Sequence, residues 1–476
     1  MKLSAILSEI EYKGAFTECE VTGITDNSDR VKPGFIFVCI NGKHFDGHTK
    51  AAEVLGKGAA AVVAERDLGL EGQILVADSR RAYALMSAAY FSHPEKNLKI
   101  IGITGTNGKT TTAFILRSAL EKLGHKTGMI GTVKVVVGDR EFPASLTTPD
   151  PFTLFGLLAM MCADSCEYCV METSSQALDQ HRVDGIHFTA AVFTNLTVDH
   201  LDYHETIEKY KKAKHLLFEN TDLGVYNIDD EAGEYMMENT ACRKVTYSLD
   251  RDDCNYSAKN IRFDASGVKY EIVSNDDIGR VSFKVPGRFN VYNSMGAVVC
   301  LLELGMNFKD TLEAVSEFPG VPGRMEVVPT GKPYTVIIDY AHTPDGLQNV
   351  LSSVKEVARG RVIAVFGCGG DRDKTKRPIM GKIGSELADM AIITSDNPRT
   401  EDPEEIINEI LTGVGKHSHA KIIVECDRTK AIKKALSVAE EGDVIVLAGK
   451  GHETYQILAS GKIHYDEREI VAELLK

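Results

Sequence analysis

The stretch KIIGITGTNGKTTTAFILRSALEKLG, residues 99–124, decides the expected fold of this chain. A run of apolar, β-branched residues leads into a glycine-rich turn, and a helical pattern that ends near Gly124 follows. Strand, glycine-rich turn and helix start together are the context that a nucleotide phosphate loop requires. The candidate loop residues are Gly105, Thr106, Asn107, Gly108, Lys109, Thr110 and Thr111.

The residue types in this loop suit phosphate chemistry. Gly105 and Gly108 let backbone N–H groups approach a phosphate without a Cβ in the way. Lys109 can reach the β- and γ-phosphates of a nucleotide, and Thr110 can offer its hydroxyl to Mg²⁺. The full eight-residue pattern would have glycine where Ile103 stands. The alternative interpretation is therefore a glycine-rich turn with an incidental lysine.

Strand-like and helix-like runs alternate through the rest of the chain. The strand-like runs are continuous and β-branched, which is typical of parallel strands buried on both faces of a sheet. Residues 111–123 and 431–440 have helical spacing and one charged side. This alternation predicts an α/β fold with helices packed on parallel strands. The strand-like runs are GAAAVVAE, KIIGITG, AAVFTNL, TVIIDYA, RVIAVFG, DMAIITS and DVIVLAG.

Length and local composition predict the domain organisation. A chain of 476 residues is too long for one ordinary core, so about three domains are expected. Polar, proline-containing junctions occur at residues 93–97 and 318–323. They predict domains at residues 1–96, 97–324 and 325–476.

Charge and hydropathy exclude several classes of function. The net charge of −14 disfavours nonspecific binding to nucleic acid or acidic membranes. No apolar run approaches the ~20 residues that cross a bilayer, and residues 1–16 lack the apolar core of a signal peptide. Ten scattered cysteines, several within apolar runs, indicate buried thiols and a cytoplasmic location. Cys162, Cys166 and Cys169 match the spacing of an iron–sulfur motif. No second metal signature accompanies them, so buried or incidental thiols are the favoured interpretation.

Polar residues downstream of the loop are candidates for metal chemistry. Glu172 ends an apolar run, and a carboxylate at the end of a parallel strand is an oxygen ligand of the type that Mg²⁺ prefers. Asp199 and His200 follow another strand-like run, and Lys214 precedes the apolar residues LLF. Glu172 could instead be a helix cap or a surface charge, and His200 could be a structural or solvated histidine. The sequence alone does not decide the role of Lys214.

Eleven segments taken together resemble the Mur ligases of bacterial cell-wall synthesis, in order and over essentially the whole chain. They are GTNGKTT (105–111), TTPD (147–150), METSSQALDQHRV (171–183), FTNLTVDHLDYH (193–204), YKKAKHLLF (210–218), PGRFNVYN (286–293), GVPGRME (320–326), DYAHTPD (339–345), FGCGGDRDKTKRP (366–378), DNPRTEDP (396–403) and AGKGHETYQ (448–456). The subfamily they most resemble adds the third residue to UDP-N-acetylmuramoyl-L-alanyl-D-glutamate during peptidoglycan synthesis, on which cell shape and cell division depend.

The resemblance implies three domains and an ATP-dependent, ADP-forming ligation through an acyl phosphate. The first domain would bind the uridine nucleotide. The middle domain would contain a parallel sheet of the phosphate-loop ATPase type and bind ATP. The last domain would be Rossmann-like and bind the incoming amino acid. The implied Mg²⁺ ligands are Thr110, Glu172 and His200, with Lys214 as a carbamylated lysine. The implied ATP contacts beyond the loop are Asn293, Arg324 and Asp339. The implied contacts to the muramoyl-dipeptide are Ser28, Thr147, Thr148, Ser174, Gln180 and Arg182.

The same resemblance places specificity for the amino acid in Asp396, Asn397, Pro398 and Arg399. Arginine at the fourth position goes with meso-diaminopimelate, because a guanidinium pairs with its distal carboxylate and repels the ammonium of L-lysine. The alternative is a surface charge that follows a turn. Arg372, Gly449 and Glu453 would complete the pocket, and Glu453 could pair with an amino group.

Two departures and several alternatives remain. The family's usual Asp-Ser-Arg near the uridine site appears here as Asn27-Ser28-Asp29. Its usual Ser-Ser-His appears as Ser174-Ser175-Gln176, and the side chain of Gln176 cannot titrate.

L-lysine could replace diaminopimelate as substrate, or the chain could be a catalytically silent paralog that acts as a binding protein. A folylpolyglutamate synthase or cyanophycin-type ligase shares the ATP core, but residues 31–48 (VKPGFIFVCINGKHFDGH) argue against both. We expect a cytoplasmic monomer that neither binds nucleic acid nor inserts into membranes.

Overall fold

The structure is a computed structural model that describes residues 1–42, 45–264, 267–416 and 418–476. Lys43 and His44, within the segment 31–48, lie outside the described residues. The chain divides into two compact units: residues 1–247 with 299–306, and residues 248–298 with 307–476. The three domain boundaries expected from the sequence stay a prediction.

The first sheet of the first unit has four parallel strands in the order β1-β2-β3-β4. Its core contains Leu3, Ile36, Val63 and Met86, all inaccessible to solvent. Two short 3₁₀ helices cover Gly47–Lys50 and Pro94–Asn97. The elements are α1 (Leu3–Leu7), β1 (Gly23–Thr25), β2 (Phe35–Val38), α2 (Ala51–Gly56), β3 (Ala61–Ala64), β4 (Gln73–Leu75) and α3 (Ser79–Tyr90).

The second sheet of this unit carries the phosphate loop. Within this unit its strands run in the order β12-β11-β10-β5-β9-β6-β7-β8, and of these pairs only β6–β7 and β7–β8 are antiparallel. β5 therefore lies between β9 and β10, and the carboxyl ends of these three strands meet at one edge. The elements are β5 (Lys99–Thr104), α4 (Lys109–Lys122), β6 (Thr127–Ile130), β7 (Lys134–Val137), β8 (Arg140–Pro143), α5 (Pro151–Ala163), β9 (Tyr168–Glu172), α6 (Ser175–Asp179), β10 (Phe188–Phe193), α7 (Leu201–His204), α8 (Ile207–Glu219), β11 (Thr221–Asn227), α9 (Gly233–Met237) and β12 (Arg243–Ser248).

The second unit begins with an antiparallel ribbon and two helices, the first of which ends within residues 299–306 of the first unit. β13 pairs with β14, and β14 pairs with β15. Tyr270 of the ribbon is buried, and its hydroxyl lies 3.0 Å from the hydroxyl of Ser294 on α10. The elements are β13 (Tyr256–Asp264), β14 (Gly267–Val273), β15 (Ile278–Phe283), α10 (Arg288–Glu303) and α11 (Phe308–Ser316).

The last sheet has six strands in the order β16-β17-β21-β18-β19-β20, of which only the edge strand β16 is antiparallel. A separate hairpin joins β22 and β23. The elements are β16 (Glu326–Val328), β17 (Thr335–Asp339), α12 (Pro344–Val357), β18 (Val362–Phe366), α13 (Lys376–Leu387), β19 (Met390–Ile393), α14 (Pro403–Leu411), β20 (Lys421–Val424), α15 (Arg428–Val438), β21 (Val444–Ala448), β22 (Tyr455–Leu458), β23 (Gly461–His464) and α16 (Glu467–Leu474).

The predicted α/β fold class is confirmed. Every quoted strand-like run contains a strand, and each of these strands lies in a parallel pairing. The helical patterns at 111–123 and 431–440 correspond to α4 and α15. All ten cysteines are free thiols, and burial raises the pKa of Cys169 on β9. No helix within the described ranges is both long enough and apolar enough to cross a membrane.

Candidate active site

The loop between β5 and α4 is held in place by the end of β10. Gly105 and Gly108 adopt φ values of +151° and +86°, and Gly108 is the N-cap of α4. The backbone N–H of Asn107 donates to Oδ1 of Asn195 at 2.9 Å, and the hydroxyl of Thr194 donates to the carbonyl of Asn107 at 2.6 Å. The loop is therefore pre-organised by residues that the sequence analysis did not single out.

Lys109 folds back over this loop. Its Nζ donates to the carbonyl oxygens of Gly105 and Thr106, both at 2.8 Å. The ammonium group thus lies at the start of α4, where the helix dipole and the loop N–H groups also favour an anion.

Glu172, the last residue of β9, lies against the same loop. Its side chain is almost fully buried. Oε2 accepts hydrogen bonds from the hydroxyls of Thr110 at 2.9 Å and Thr132 at 3.1 Å, and Oε1 accepts one from the backbone N–H of Thr132 at 2.8 Å. Thr132 was missed by the sequence analysis, although a hydroxyl two residues after the end of strand β6 is a signal that could have found it.

The predicted magnesium ligands are only partly brought together. Thr110 and Glu172 are in direct contact, whereas His200 is half-exposed and lies 3.6 Å from Asp199 (Nε2 to Oδ2). In the part of the chain that the structure describes, no group of three or more His, Cys, Asp or Glu side chains is arranged to hold a metal. The paired oxygens of Thr110 and Glu172 fit Mg²⁺ chemically, and the role of His200 stays a prediction.

Lys214 on α8 is fully buried beneath the loop. Its Nζ donates to the carbonyl of Gly105 at 2.7 Å and lies 4.3 Å from the centre of the Tyr210 ring. Burial, together with the nearby charge of Lys109, holds the pKa of Lys214 well below its usual value. The lowered pKa makes the neutral amine of Lys214 more accessible than that of an exposed lysine.

Most of the predicted muramoyl-dipeptide contacts form one network. The hydroxyl of Thr148 donates to the carbonyl of Glu172 at 2.8 Å and accepts from the N–H of Ser174 at 3.1 Å. Arg182 donates to the carbonyl of Thr148 at 2.9 Å and to Oε1 of Gln180 at 2.7 Å. The hydroxyl of Thr147 lies 3.0 Å from that of Thr132, which connects the network to Glu172.

Ser28 follows strand β1, and its carbonyl accepts a hydrogen bond from Nζ of Lys57 at 3.3 Å. Near that strand end the structure adds Asp26, which the sequence analysis missed. Burial raises the pKa of Asp26, and the negative charge of Asp150 raises it further.

The remaining predicted ATP contacts belong to the second unit. Asn293 is buried on α10 and donates to Oδ1 of Asn290 at 3.1 Å. The guanidinium of Arg324 lies 4.6 Å from the centre of the Tyr340 ring. Asp339 ends β17 and accepts from the N–H groups of Met325 at 2.7 Å and Ala341 at 2.8 Å. Burial raises the pKa of Asp339.

The predicted amino-acid pocket lies at the carboxyl edge of the last sheet. Arg399 has φ +53°, and its Nη1 donates to the carbonyl of Gly370 at 2.8 Å. Nδ2 of Asn397 donates to Oε2 of Glu453 at 2.9 Å. Gly449 has φ +116°, and a Cβ there would lie 2.5 Å from Oδ2 of Asp396. These residues follow β19 and β21, while Arg372 follows β18 and donates to the carbonyl of Asp371 at 3.0 Å.

Arg399 has no carboxylate partner among the described residues, and its recorded hydrogen bonds from the guanidinium go only to backbone carbonyls. Arg377 is the contrasting case that sequence reasoning missed. It is fully buried and pairs with Glu401 at 3.0 Å and Glu409 at 2.7 Å. Arg377 is thus paired within the scaffold, whereas the role of Arg399 in binding a carboxylate stays a prediction.

The fold and this site define an α/β enzyme with a loop of the nucleotide phosphate-binding type and a second cluster of charged residues at the carboxyl edge of the last sheet. Residues 103–301 match the family described as Mur ligase middle domain, and residues 323–451 match Mur ligase, glutamate ligase domain. The chain belongs to the Mur ligase family, as the sequence motifs indicated. The predicted enzyme class, a ligase, is likewise confirmed.

The chain is similar to named relatives over its full length. A UDP-N-acetylmuramoyl-L-alanyl-D-glutamate--2,6-diaminopimelate ligase from Clostridium botulinum is 46% identical and covers 100% of both chains. A ligase of the same name from Geobacillus kaustophilus is 42% identical over 96% of this chain and 95% of its own. A solved structure of a ligase with that name matches with a TM-score of 0.71 at 31% identity, covering 96% of this chain and 94% of the other.

Proposed function

We propose that this protein joins meso-diaminopimelate to the D-glutamate of UDP-N-acetylmuramoyl-L-alanyl-D-glutamate, using ATP and releasing ADP and phosphate. The observation that carries the proposal is the guanidinium of Arg399, which donates to backbone carbonyls but has no carboxylate partner among the described residues, beside Asn397 and its partner Glu453. Full-length relatives with the corresponding name support it.

The first step activates a carboxylate, which is a poor electrophile. A carboxylate oxygen of the D-glutamate attacks the γ-phosphorus of ATP, the bond to the β-phosphate oxygen breaks, and an acyl phosphate and ADP result. Lys109 and the loop N–H groups stabilise the charge on the transferring phosphoryl group. Mg²⁺, held by Thr110 and Glu172 with His200, would supply further charge neutralisation there.

The second step forms the amide bond. The amino group of diaminopimelate attacks the acyl carbon, loses a proton, and the tetrahedral intermediate collapses with loss of phosphate. Arg399 would form a bidentate pair with the distal carboxylate of diaminopimelate, with Arg372 beside it. Asp396, Asn397, Pro398, Gly449 and Glu453 would shape the rest of the pocket, and Glu453 would accept an ammonium group.

Lys214 is proposed to act as a carbamylated lysine. Its low pKa favours the neutral amine, which attacks carbon dioxide at carbon to give a carbamate and release a proton. The new carboxylate would lie near Gly105, where Nζ lies now, and would support a metal ion at the phosphates.

The other substrate contacts follow the same assignment. Ser28, Thr147, Thr148, Ser174, Gln180 and Arg182 would bind the muramoyl-dipeptide, and Asn293, Arg324 and Asp339 would bind ATP. Residues 1–96, 97–324 and 325–476 would serve the uridine nucleotide, ATP and the amino acid in turn. We propose that the enzyme works as a cytoplasmic monomer, in keeping with its free thiols and net charge of −14.

The test is ADP release. We expect continued ADP release to require both the nucleotide-sugar dipeptide and diaminopimelate. The dipeptide alone allows the acyl phosphate and one ADP per enzyme to form, and the amine is needed to consume the acyl phosphate and start the next turnover. A catalytically silent paralog would bind the substrates without releasing ADP, and continued release in the absence of either cosubstrate would contradict the proposed ligation.

A further inference from the structure

Lys450 is a buried lysine at the base of the amino-acid pocket. It lies between Gly449 and Gly451, whose φ values are +116° and +56°. The backbone on either side of the lysine thus adopts conformations that glycine reaches most easily. Its side chain has no exposed surface.

The ammonium group of Lys450 is surrounded by partners from two separate loops. Nζ donates to Oδ1 of Asn397 at 3.1 Å and to Oε2 of Glu453 at 3.1 Å, and it lies 3.9 Å from Oδ1 of Asp396. The rings of Tyr455 and Tyr465 lie 5.9 and 5.8 Å away. A buried charge is tolerated only when it is paired and hydrogen-bonded in this way.

These contacts fix the orientation of Glu453. Its Oε2 accepts from both Lys450 and Asn397. Within the described residues, no hydrogen bond to Oε1 of Glu453 is recorded, so that oxygen keeps its acceptor capacity. Asn397 is fixed as well, because its Oδ1 also accepts from the N–H of Ile457 at 3.0 Å.

We infer that Lys450 is a positioning residue of the amino-acid pocket. It immobilises one carboxylate oxygen of Glu453 so that the other faces an ammonium group of the incoming amino acid. Its ammonium group also lies 3.1 Å from Oε2 of Glu453 and 3.9 Å from Oδ1 of Asp396, so that it holds both carboxylates beside one cation. This inference rests on the proposed function, and it assigns to Lys450 no contact with the substrate.

The test compares steady-state kinetics of Lys450→Met with those of Lys433→Met. Methionine keeps an unbranched apolar chain but removes the donor and the charge, and Lys433 is an exposed lysine on α15 of the same unit. We expect the KM for diaminopimelate to rise by at least about tenfold in Lys450→Met, since one partner of a buried charge pair is lost. The KM for ATP and that for the nucleotide-sugar dipeptide should stay within about twofold in both variants, because neither substrate is assigned to this pocket.

A double-mutant cycle separates positioning from general stability. Because Lys450 acts through Glu453, adding Lys450→Met to Glu453→Gln should raise the KM for diaminopimelate by less than about threefold beyond Glu453→Gln alone. The inference would be overturned if the two substitutions raised the KM for diaminopimelate by fully multiplicative factors. An unchanged KM for diaminopimelate in Lys450→Met would also overturn it, as would equal changes in the KM values for diaminopimelate, ATP and the nucleotide-sugar dipeptide.

Lys450→Gln, which retains an amide donor, repeats the comparison if the methionine variant does not fold. A KM for diaminopimelate between those of the wild type and Glu453→Gln supports the inference, and a wild-type KM overturns it. Failure of the wild-type enzyme to use diaminopimelate would instead refute the proposed function, so the two failures are distinguishable.

Discussion

Lys109 is the residue on which the nucleotide assignment depends most directly. Replacing it with alanine removes the ammonium group held over the loop carbonyls of Gly105 and Thr106. We expect Lys109→Ala to lose ligation by at least about a hundredfold, because charge stabilisation of the transferring phosphoryl group is removed. Lys122→Ala, an exposed change on the same helix, is the control. Near-normal turnover of Lys109→Ala would refute the phosphate-loop assignment.

Lys214 gives a second prediction, this time about a modification. Lys214→Ala should lose activity, and short-chain carboxylic acids added to the assay should restore part of it by replacing the carbamate. Lys212→Ala, on the exposed side of α8, should stay active and show no response to the acids. Failure of every such acid to restore Lys214→Ala, together with an unmodified lysine mass in wild-type enzyme kept in bicarbonate, would count against carbamylation.

The pH dependence of this modification has a definite sign. The pKa of Lys214 is lowered from its usual value, so its neutral amine persists to lower pH than that of an exposed lysine. Bicarbonate-dependent activation should therefore remain near pH ~7, where an ordinary lysine is almost wholly protonated, and should fall only as the pH drops further. Activation that appears only above pH ~10 would contradict the lowered pKa.

Arg399 gives the specificity prediction. Loss of one partner of a desolvated charge pair costs ~2–5 kcal/mol, so Arg399→Ala should raise the KM for diaminopimelate by well over tenfold. The KM for ATP should barely change, because the phosphate loop lies in the other compact unit. L-lysine should remain a poor substrate, since removal of a repulsion creates no new acceptor for its ammonium. Arg359→Ala, an exposed arginine of the same unit, is the control, and unchanged diaminopimelate kinetics in Arg399→Ala would refute this role.

At the scale of the element, the phosphate loop follows the end of strand β5 and packs against the end of the neighbouring strand β10. A Cβ at Gly105 would lie 1.9 Å from the hydroxyl of Thr194, and the φ of +151° is one that L-residues rarely adopt. Gly105→Ala should therefore lower the free energy of unfolding by ~1–3 kcal/mol and weaken ATP binding. Gly56→Ala, which meets no atom within 4 Å, should do neither. Calorimetry and nucleotide titration measure both effects, and normal ATP binding by Gly105→Ala would show that the loop does not need this close approach.

The elements themselves could largely be predicted from the sequence. The runs around Ile101, Ile337 and Val446 are continuously apolar because their strands are buried on both faces, and that pattern is local. The contact between Glu172 and Thr132 was not predictable. It depends on β9 lying between β5 and β6. No single segment of the sequence determines the strand order of a sheet.

The candidate site shows the same division between local and long-range information. The loop residues 105–111 could be assigned because their motif is contiguous. Arg399 and Glu453 were assigned through the family resemblance, whereas Lys450 and Arg377 lie within motifs that carried the resemblance but were given no role. Their burial depends on partners such as Asn397 and Glu401, which reach them only through the folded sheet.

At the scale of the whole molecule, the predicted site residues are distributed over both compact units. The phosphate loop, Glu172 and Lys214 belong to the first unit, while Arg399 and Glu453 belong to the second. The first unit carries the residues proposed for phosphoryl transfer, and the second carries those proposed to bind the amine together with the predicted ATP contacts Asn293, Arg324 and Asp339. The central claim is therefore that one chain couples ATP cleavage to selection of a particular amino acid.

One competition assay tests this claim most directly. The wild-type enzyme is given UDP-N-acetylmuramoyl-L-alanyl-D-glutamate, ATP and equal concentrations of meso-diaminopimelate and L-lysine, and the products are identified by mass. The account predicts a product that contains diaminopimelate almost exclusively, with one ADP released for each amide bond formed. Equal or preferential incorporation of lysine, or ADP release without any amide product, would contradict it.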